Sequence, residues 1–194
     1  MGRLYEHKTY ILREIFNPLA MEESYEILEG NGTGVLGTAN ETACLGAKIE
    51  KFFLDRALIS LRVAAASLDG KEGFELTHSG RSLRYDLTAR DKDGKPFARF
   101  RQVLCSLFPE FEVFGPGDNR IGRIIGTFNK RHFDFSDESG KVIAVIEHIH
   151  GGFLKETFST ADEFKIEITS PEPEKVAPMA LAAALSIDLV FHET

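Results

Sequence analysis

Tryptophan is absent from this 194-residue chain, although phenylalanine occurs sixteen times. Cysteine is nearly absent as well: Cys44 and Cys105 lie far apart and no C-x-x-C occurs. That excludes a disulfide framework or a cysteine-built structural zinc site and fits a reducing, cytoplasmic setting. There are no low-complexity tracts, and the N-terminal M-G-R-L-Y-E-H-K lacks the apolar core of a secretory signal. Gly2 invites myristoylation, but Glu6 stands where Ser or Thr is required. Without a signal, the glycosylation-like triplets at Asn31 and Asn40 read as coincidental. A hydrophobic share of 43% and a charged share of 27% suit one well-buried domain spanning residues 1–194.

Charge is distributed unevenly. The net charge is −7, yet residues 81–131 hold eleven Lys/Arg against six Asp/Glu, a local excess of +5. An acidic protein with a basic middle can steer anionic partners toward one face; solvated strand edges give the same pattern. Nucleic acid is not expected, because the overall charge is negative and no recognition motif appears.

The interior of the sequence repeats one unit: an alternating strand, a Gly/Asp turn, and a second apolar strand. It runs from Tyr25 through Gly30-Asn-Gly-Thr-Gly to Leu36, and from Tyr85 through Asp93-Gly94 to Gln102. It recurs from Phe111 through Gly115-Pro-Gly-Asp-Asn to Ile125, and from Phe133 through Asp137-Glu-Ser-Gly to Ile146. Phe164–Ile168 begins a last strand with no partner after it. So many antiparallel strands leave open edges unless the sheet closes. A closed barrel of about a dozen strands is too wide for its own side chains to fill. The C-terminal segment, about 176–191, supplies the filler: a helix apolar nearly all round belongs in a core or a membrane. Its small residues Ala180, Ala182, Ala183, Ala184 and Ser186 make it slender. Only nine residues separate Pro178 from Asp188, short of the roughly 20 that a span needs, so a buried core helix is expected. A further helix is plausible at 48–54, and residues 57–66 read equally as helix or strand.

Two stretches carry a family resemblance. Gly152–Ile168 (G-F-L-K-E-T-F-S-T-A-D-E-F-K-I-E-I) and Met179–Glu193 (M-A-L-A-A-A-L-S-I-D-L-V-F-H-E) resemble the C-terminus of the phospholipid scramblase family. That family shares the Tubby C-terminal-like barrel with LURP-one-related proteins. The resemblance extends loosely from about Tyr25 and implies a mainly β fold: a closed antiparallel barrel around a C-terminal helix. It implies no enzyme activity. Lipid-scrambling members are associated with an acidic calcium-binding segment, which falls here on Ser159–Phe164. Asp162 matches and Glu163 adds an oxygen, but Thr160 and Lys165 depart from the pattern. Calcium favours six to eight oxygen ligands, so weak binding or none is expected. The Cys-rich palmitoylated stretch and the Pro-rich N-terminal arm of anchored members have no counterpart, and one acyl chain on Cys44 would anchor only marginally.

The basic middle supplies the candidate headgroup site: Arg99 and Arg101 on one strand face, with Arg120, Arg123, Lys130 and Arg131 in nearby hairpins. Charge-assisted hydrogen bonds from such residues suit phosphate. The expectation is peripheral binding of an acidic phospholipid surface, or scrambling. The alternatives are a protein-interaction or structural module and, third, a barrel cavity holding a small apolar ligand. The same arginines can also pair with Asp86, Asp91 and Asp118 across the hairpins. Gly32-Thr-Gly34-Val-Leu-Gly37 matches G-x-G-x-x-G, but Glu26 and Glu29 in the preceding strand and the lack of a βαβ series argue for a hairpin turn. His148 and His150 share a strand face and suggest a metal pair, though a third ligand is missing. Strand histidines beside a Gly-Gly turn are more simply surface residues.

Overall fold

Strand alternation sorts the chain into an inward and an outward face, and the inward set determines what the barrel must contain. The computed structural model describes residues 4–15, 23–42, 60–80, 83–149 and 163–192. Its strands are β1 Thr9–Glu14, β2 Ser24–Glu29, β3 Val35–Glu41, β4 Leu61–Ser67, β5 Gly73–His78 and β6 Asp86–Asp91. They continue as β7 Pro96–Gln102, β8 Glu110–Phe114, β9 Arg120–Gly126, β10 His132–Asp137, β11 Val142–Ile149 and β12 Glu163–Ile168. Each pairs antiparallel with its neighbour, and β12 pairs with β1 to close a twelve-stranded barrel. Helix α1, Pro173–Ile187, follows and ends in a turn of π-helix, Asp188–His192.

The closing pair answers a question left open in the sequence. Phe164–Ile168 lacks a following partner because its partner precedes it: Tyr10 lies opposite Ile166 and Leu12 opposite Phe164. Strands β1 and β5 also add to the four hairpins predicted from the Gly/Asp rhythm. Residues 61–67 are strand, while 57–59 and the 48–54 helix lie outside the described residues.

The four predicted hairpins share one device. Each pair carries a bulge beside its turn, at Ile27/Leu28, Ala89/Arg90, Val113/Phe114 and Phe135/Ser136. A left-handed residue sits in each turn, with Gly94 at φ 79° and Gly140 at φ 84°. Glycine takes that conformation without the Cβ penalty, so D-G and S-G spacings mark these turns. Asp137 braces its turn by accepting from Ser139 and from the Lys141 N–H. The Ser139 hydroxyl, more than the backbone donors, holds the Asp137 carboxyl below its ordinary pKa.

Helix α1 threads the barrel. Ala177, Ala180, Leu181, Ala182, Ala183, Ala184, Leu185 and Ile187 are fully buried, packed with Tyr10, Phe100, Phe111, Phe133 and Phe164 from the walls. Pro173 opens the helix, three residues before the predicted start, in the first turn where a missing N–H costs nothing. Length and composition alone would let Pro173–His192 cross a membrane. Enclosure by the strands explains its all-round apolarity instead. Its one buried hydroxyl, Ser186, donates to the Ala182 carbonyl at 2.7 Å.

At the helix C-terminus, Phe191 packs on Phe111 and Phe133, with ring centroids 5.2 and 6.0 Å apart. Gly126 faces inward beneath Phe133, and a Cβ there would lie 2.5 Å from the ring. Gly126→Val is therefore expected to cost about 1–3 kcal/mol through overpacking. A fall in the urea midpoint with unchanged m-value checks this.

Candidate functional site

Outward side chains of β6–β9 form a ladder of alternating charge. Across the register, Asp86 faces Arg101, Arg101 faces Glu112, and Glu112 faces Arg123. Arg99 and Arg101 share the outer face, as the period-two spacing predicts. Each approaches Asp86 at 3.5 Å, and Arg99 also pairs with Asp118. Both guanidinium groups lie over the Phe114 ring, at 4.9 and 4.6 Å from its centroid. Arg120 pairs with Glu112 at 3.8 Å and Arg123 with Glu110 at 3.5 Å. The Asp86 pairs are half-buried, whereas the exposed pairs of Arg120 and Arg123 contribute about 0–1 kcal/mol each. Their larger effect is to compensate the positive charge of the wall.

Lys130 and Arg131 occupy different ground. They lie in the β9–β10 turn, at the barrel end where α1 terminates, and Lys130 Nζ donates to the Phe191 carbonyl at 3.2 Å. Arg84, just before β6, lies at the same end. The six predicted cations thus form two groups: four in the wall opposite carboxylates and two at one end of the barrel. Sequence reasoning did not join Arg84 to Lys130 and Arg131. The signal was present, because segments 79–85, 103–109 and 127–131 contain no Asp or Glu. Only the topology shows that these segments are neighbours.

The residues suggested as metal ligands fall differently. Glu163 is engaged by Arg13, whose Nε lies 2.5 Å from its carboxylate, and Asp162 lies outside the described residues. Among the described residues no cluster of three or more His, Cys, Asp or Glu is placed to hold a metal. His150 is outside the described residues. His148 corrects the surface reading: Ala144 and Ile146 are buried, so the same alternation turns His148 inward. Its ring packs at a tilt against His192 and Phe164, with centroids 4.4 and 5.0 Å away. The Gly32–Gly37 match is the β2–β3 hairpin and leads into a strand, not a helix.

The barrel interior is taken up by α1. An open cleft of about 340 Å³ lies at the opposite end, beside the start of α1, lined by Tyr5, Asp91, Phe97, Lys175 and Met179.

A closed antiparallel barrel whose own C-terminal helix serves as its core defines the Tubby C-terminal-like class. Residues 83–194 match the Scramblase family, and the chain belongs to that family. The matched segment runs from just before β6 through α1 and so includes the charge ladder, the basic end and the core helix. A solved X-ray structure of a protein from Arabidopsis thaliana shares the fold, with a TM-score of 0.52 at 15% identity, covering 95% of this chain and 92% of that one. No curated protein matches the chain.

Proposed function

We propose that this Scramblase-family barrel is a non-enzymatic, peripheral binder of acidic phospholipid surfaces on the cytoplasmic side of a membrane. One observation carries the reading: the connections holding Arg84, Lys130 and Arg131 lie together at one barrel end and contain no acidic residue. Each basic residue near an anionic leaflet contributes about 1 kcal/mol, so a cluster of three gives measurable but salt-sensitive attachment. The wall arginines Arg99, Arg101, Arg120 and Arg123 face carboxylates. They support the field around the site more than they grip a headgroup.

Flotation with vesicles of phosphatidylcholine and phosphatidylserine tests this. Binding is expected at low salt and should fall steeply toward physiological strength, as the Debye length shrinks from about 30 to about 8 Å. Arg84→Glu with Arg131→Glu should abolish it. Arg99→Glu with Arg101→Glu should weaken it less, and should cost stability by placing new acids beside Asp86 and Asp118. A protein that ignores anionic vesicles at low salt is instead a protein-interaction or structural module.

A further inference from the structure

The two ends of the barrel differ in the side chains they expose. The far end carries tight Gly/Asp turns whose exposed tips mix acids (Asp69, Asp93, Asp118, Glu138) with lysines (Lys71, Lys92, Lys95, Lys141). The end that holds Arg84, Lys130 and Arg131 exposes apolar side chains. Leu83 is 70% exposed, Leu107 86% and Phe128 83%, while Leu104, Phe108 and Ile15 are exposed by 43–50%. Only Val35 and Leu68 among the exposed large apolar residues belong to the far end. Scattered apolar residues on a surface need no explanation, but a group confined to one rim marks an interaction surface.

The connections holding these tips are neighbours and are braced. The Gln102 N–H donates to the Tyr85 carbonyl at 2.9 Å, tying the segment of Leu83 and Arg84 to the base of β7. The Gly126 N–H donates to the Pro109 carbonyl at 2.7 Å, tying the Leu107–Phe108 loop to the turn of Phe128. Within that loop the Phe108 N–H donates to Ser106 Oγ, which itself donates to Glu110. Within the turn, the Thr127 N–H donates to the His132 carbonyl, and Asn129 Oδ1 accepts from the Thr127 hydroxyl and the Arg131 N–H. Leu107 and Phe128 thus stand on hydrogen-bonded scaffolds, with cations beside them.

We propose that this end of the barrel docks on a bilayer, with Leu107 and Phe128 inserted among the acyl chains and Arg84, Lys130 and Arg131 at the level of the anionic headgroups. The inference rests on the acidic-phospholipid reading and adds to it an orientation and an insertion step. Apolar tips beside Lys/Arg match the two-layered chemistry of an anionic membrane interface, and the three connections that carry the tips contribute no Asp or Glu of their own. The C-terminus of α1 then faces the membrane, and the opposite end of the barrel, with its charged Gly/Asp turns, faces solvent.

A chain without tryptophan permits a direct test. Phe128→Trp and, at the far end, Leu68→Trp each introduce a single reporter. With phosphatidylcholine–phosphatidylserine vesicles, Trp emission from the Phe128 variant should shift to the blue and be quenched by phosphatidylcholine brominated on its acyl chains. The Leu68 variant should show neither change. Leu107→Ser with Phe128→Ser should weaken vesicle binding about tenfold to a hundredfold and leave the melting curve unaltered, since both side chains are exposed. Vesicle binding with the Phe128 reporter unquenched overturns insertion and leaves headgroup binding standing. Quenching at Leu68 overturns the orientation. No binding at low salt overturns both this inference and the reading beneath it. A wild-type dimer that the double serine variant converts to monomer, without vesicle binding, assigns the tips to a second copy of the chain and overturns the proposal.

Discussion

Deleting residues 177–194 is expected to abolish the folded state. The segment includes Leu181, Leu185, Ile187, Leu189 and Val190, all buried inside the barrel. Burial of each such side chain is worth about 1.5–3 kcal/mol. Their combined loss matches or exceeds the whole net stability of a typical domain, about 5–15 kcal/mol. Twelve strands left without a core would expose Phe100, Phe111, Phe133 and Phe164 to water. The truncated chain should therefore aggregate or lack a cooperative thermal transition by circular dichroism. A soluble chain that still melts cooperatively would show that the helix is an appendage. Ala183→Leu probes the same packing gently. Ala183 is fully buried, and overpacking should cost about 1–3 kcal/mol. Glu174→Ala, on the exposed first turn, should stay within about 0.5 kcal/mol.

Substitution of Asp188 should be the most damaging polar change. The residue is 2% exposed, lies where the α-helix passes into its π-turn, and accepts from the Tyr25 hydroxyl at 2.6 Å. Tyr25 is itself 1% exposed and also reaches Glu23 at 3.2 Å. This contact joins the end of the core helix to β2 across 163 positions of sequence. Hydrogen bonds to charged groups contribute about 1.5–3 kcal/mol, and a buried partner left unsatisfied costs a similar amount. Asp188→Ala should lower stability by about 3 kcal/mol and Tyr25→Phe by about 2 kcal/mol. The double variant should be less destabilised than the sum of the two, because both remove one interaction. Urea midpoints for the three variants provide the check; additive losses would mean that the two residues act separately.

Local chemistry made the hairpins legible. The Asp93-Gly94 and Ser139-Gly140 turns need a left-handed residue, and alternation on either side separates wall from core. The helix was legible for a similar reason: a segment apolar on every side, with alanine at its narrow positions, fits only where neighbours surround it. The glycines at 32, 34 and 37 were read correctly from what flanked them, since a strand carrying Glu26 and Glu29 does not precede a phosphate loop. His148 was misread because a Gly-Gly neighbour suggested surface, whereas its parity with Ala144 and Ile146 points inward.

Contacts of long sequence separation were not legible. The closing of β12 on β1 has no local signature, because a strand carries its pattern of faces but not the address of its partner. The arginines illustrate the same limit. Their count and spacing predicted a basic middle and a shared face for Arg99 and Arg101. Packing of β6–β9 side by side decided that four of the six cations pair with carboxylates, Arg101 and Arg123 directly across the register, while hairpin connectivity brought Lys130 and Arg131 to one end with Arg84. Residue type and period thus determined which elements form and which faces they bury. Closure of the sheet decided which charges and which apolar tips stand together, because only closure brings distant strands to a common end.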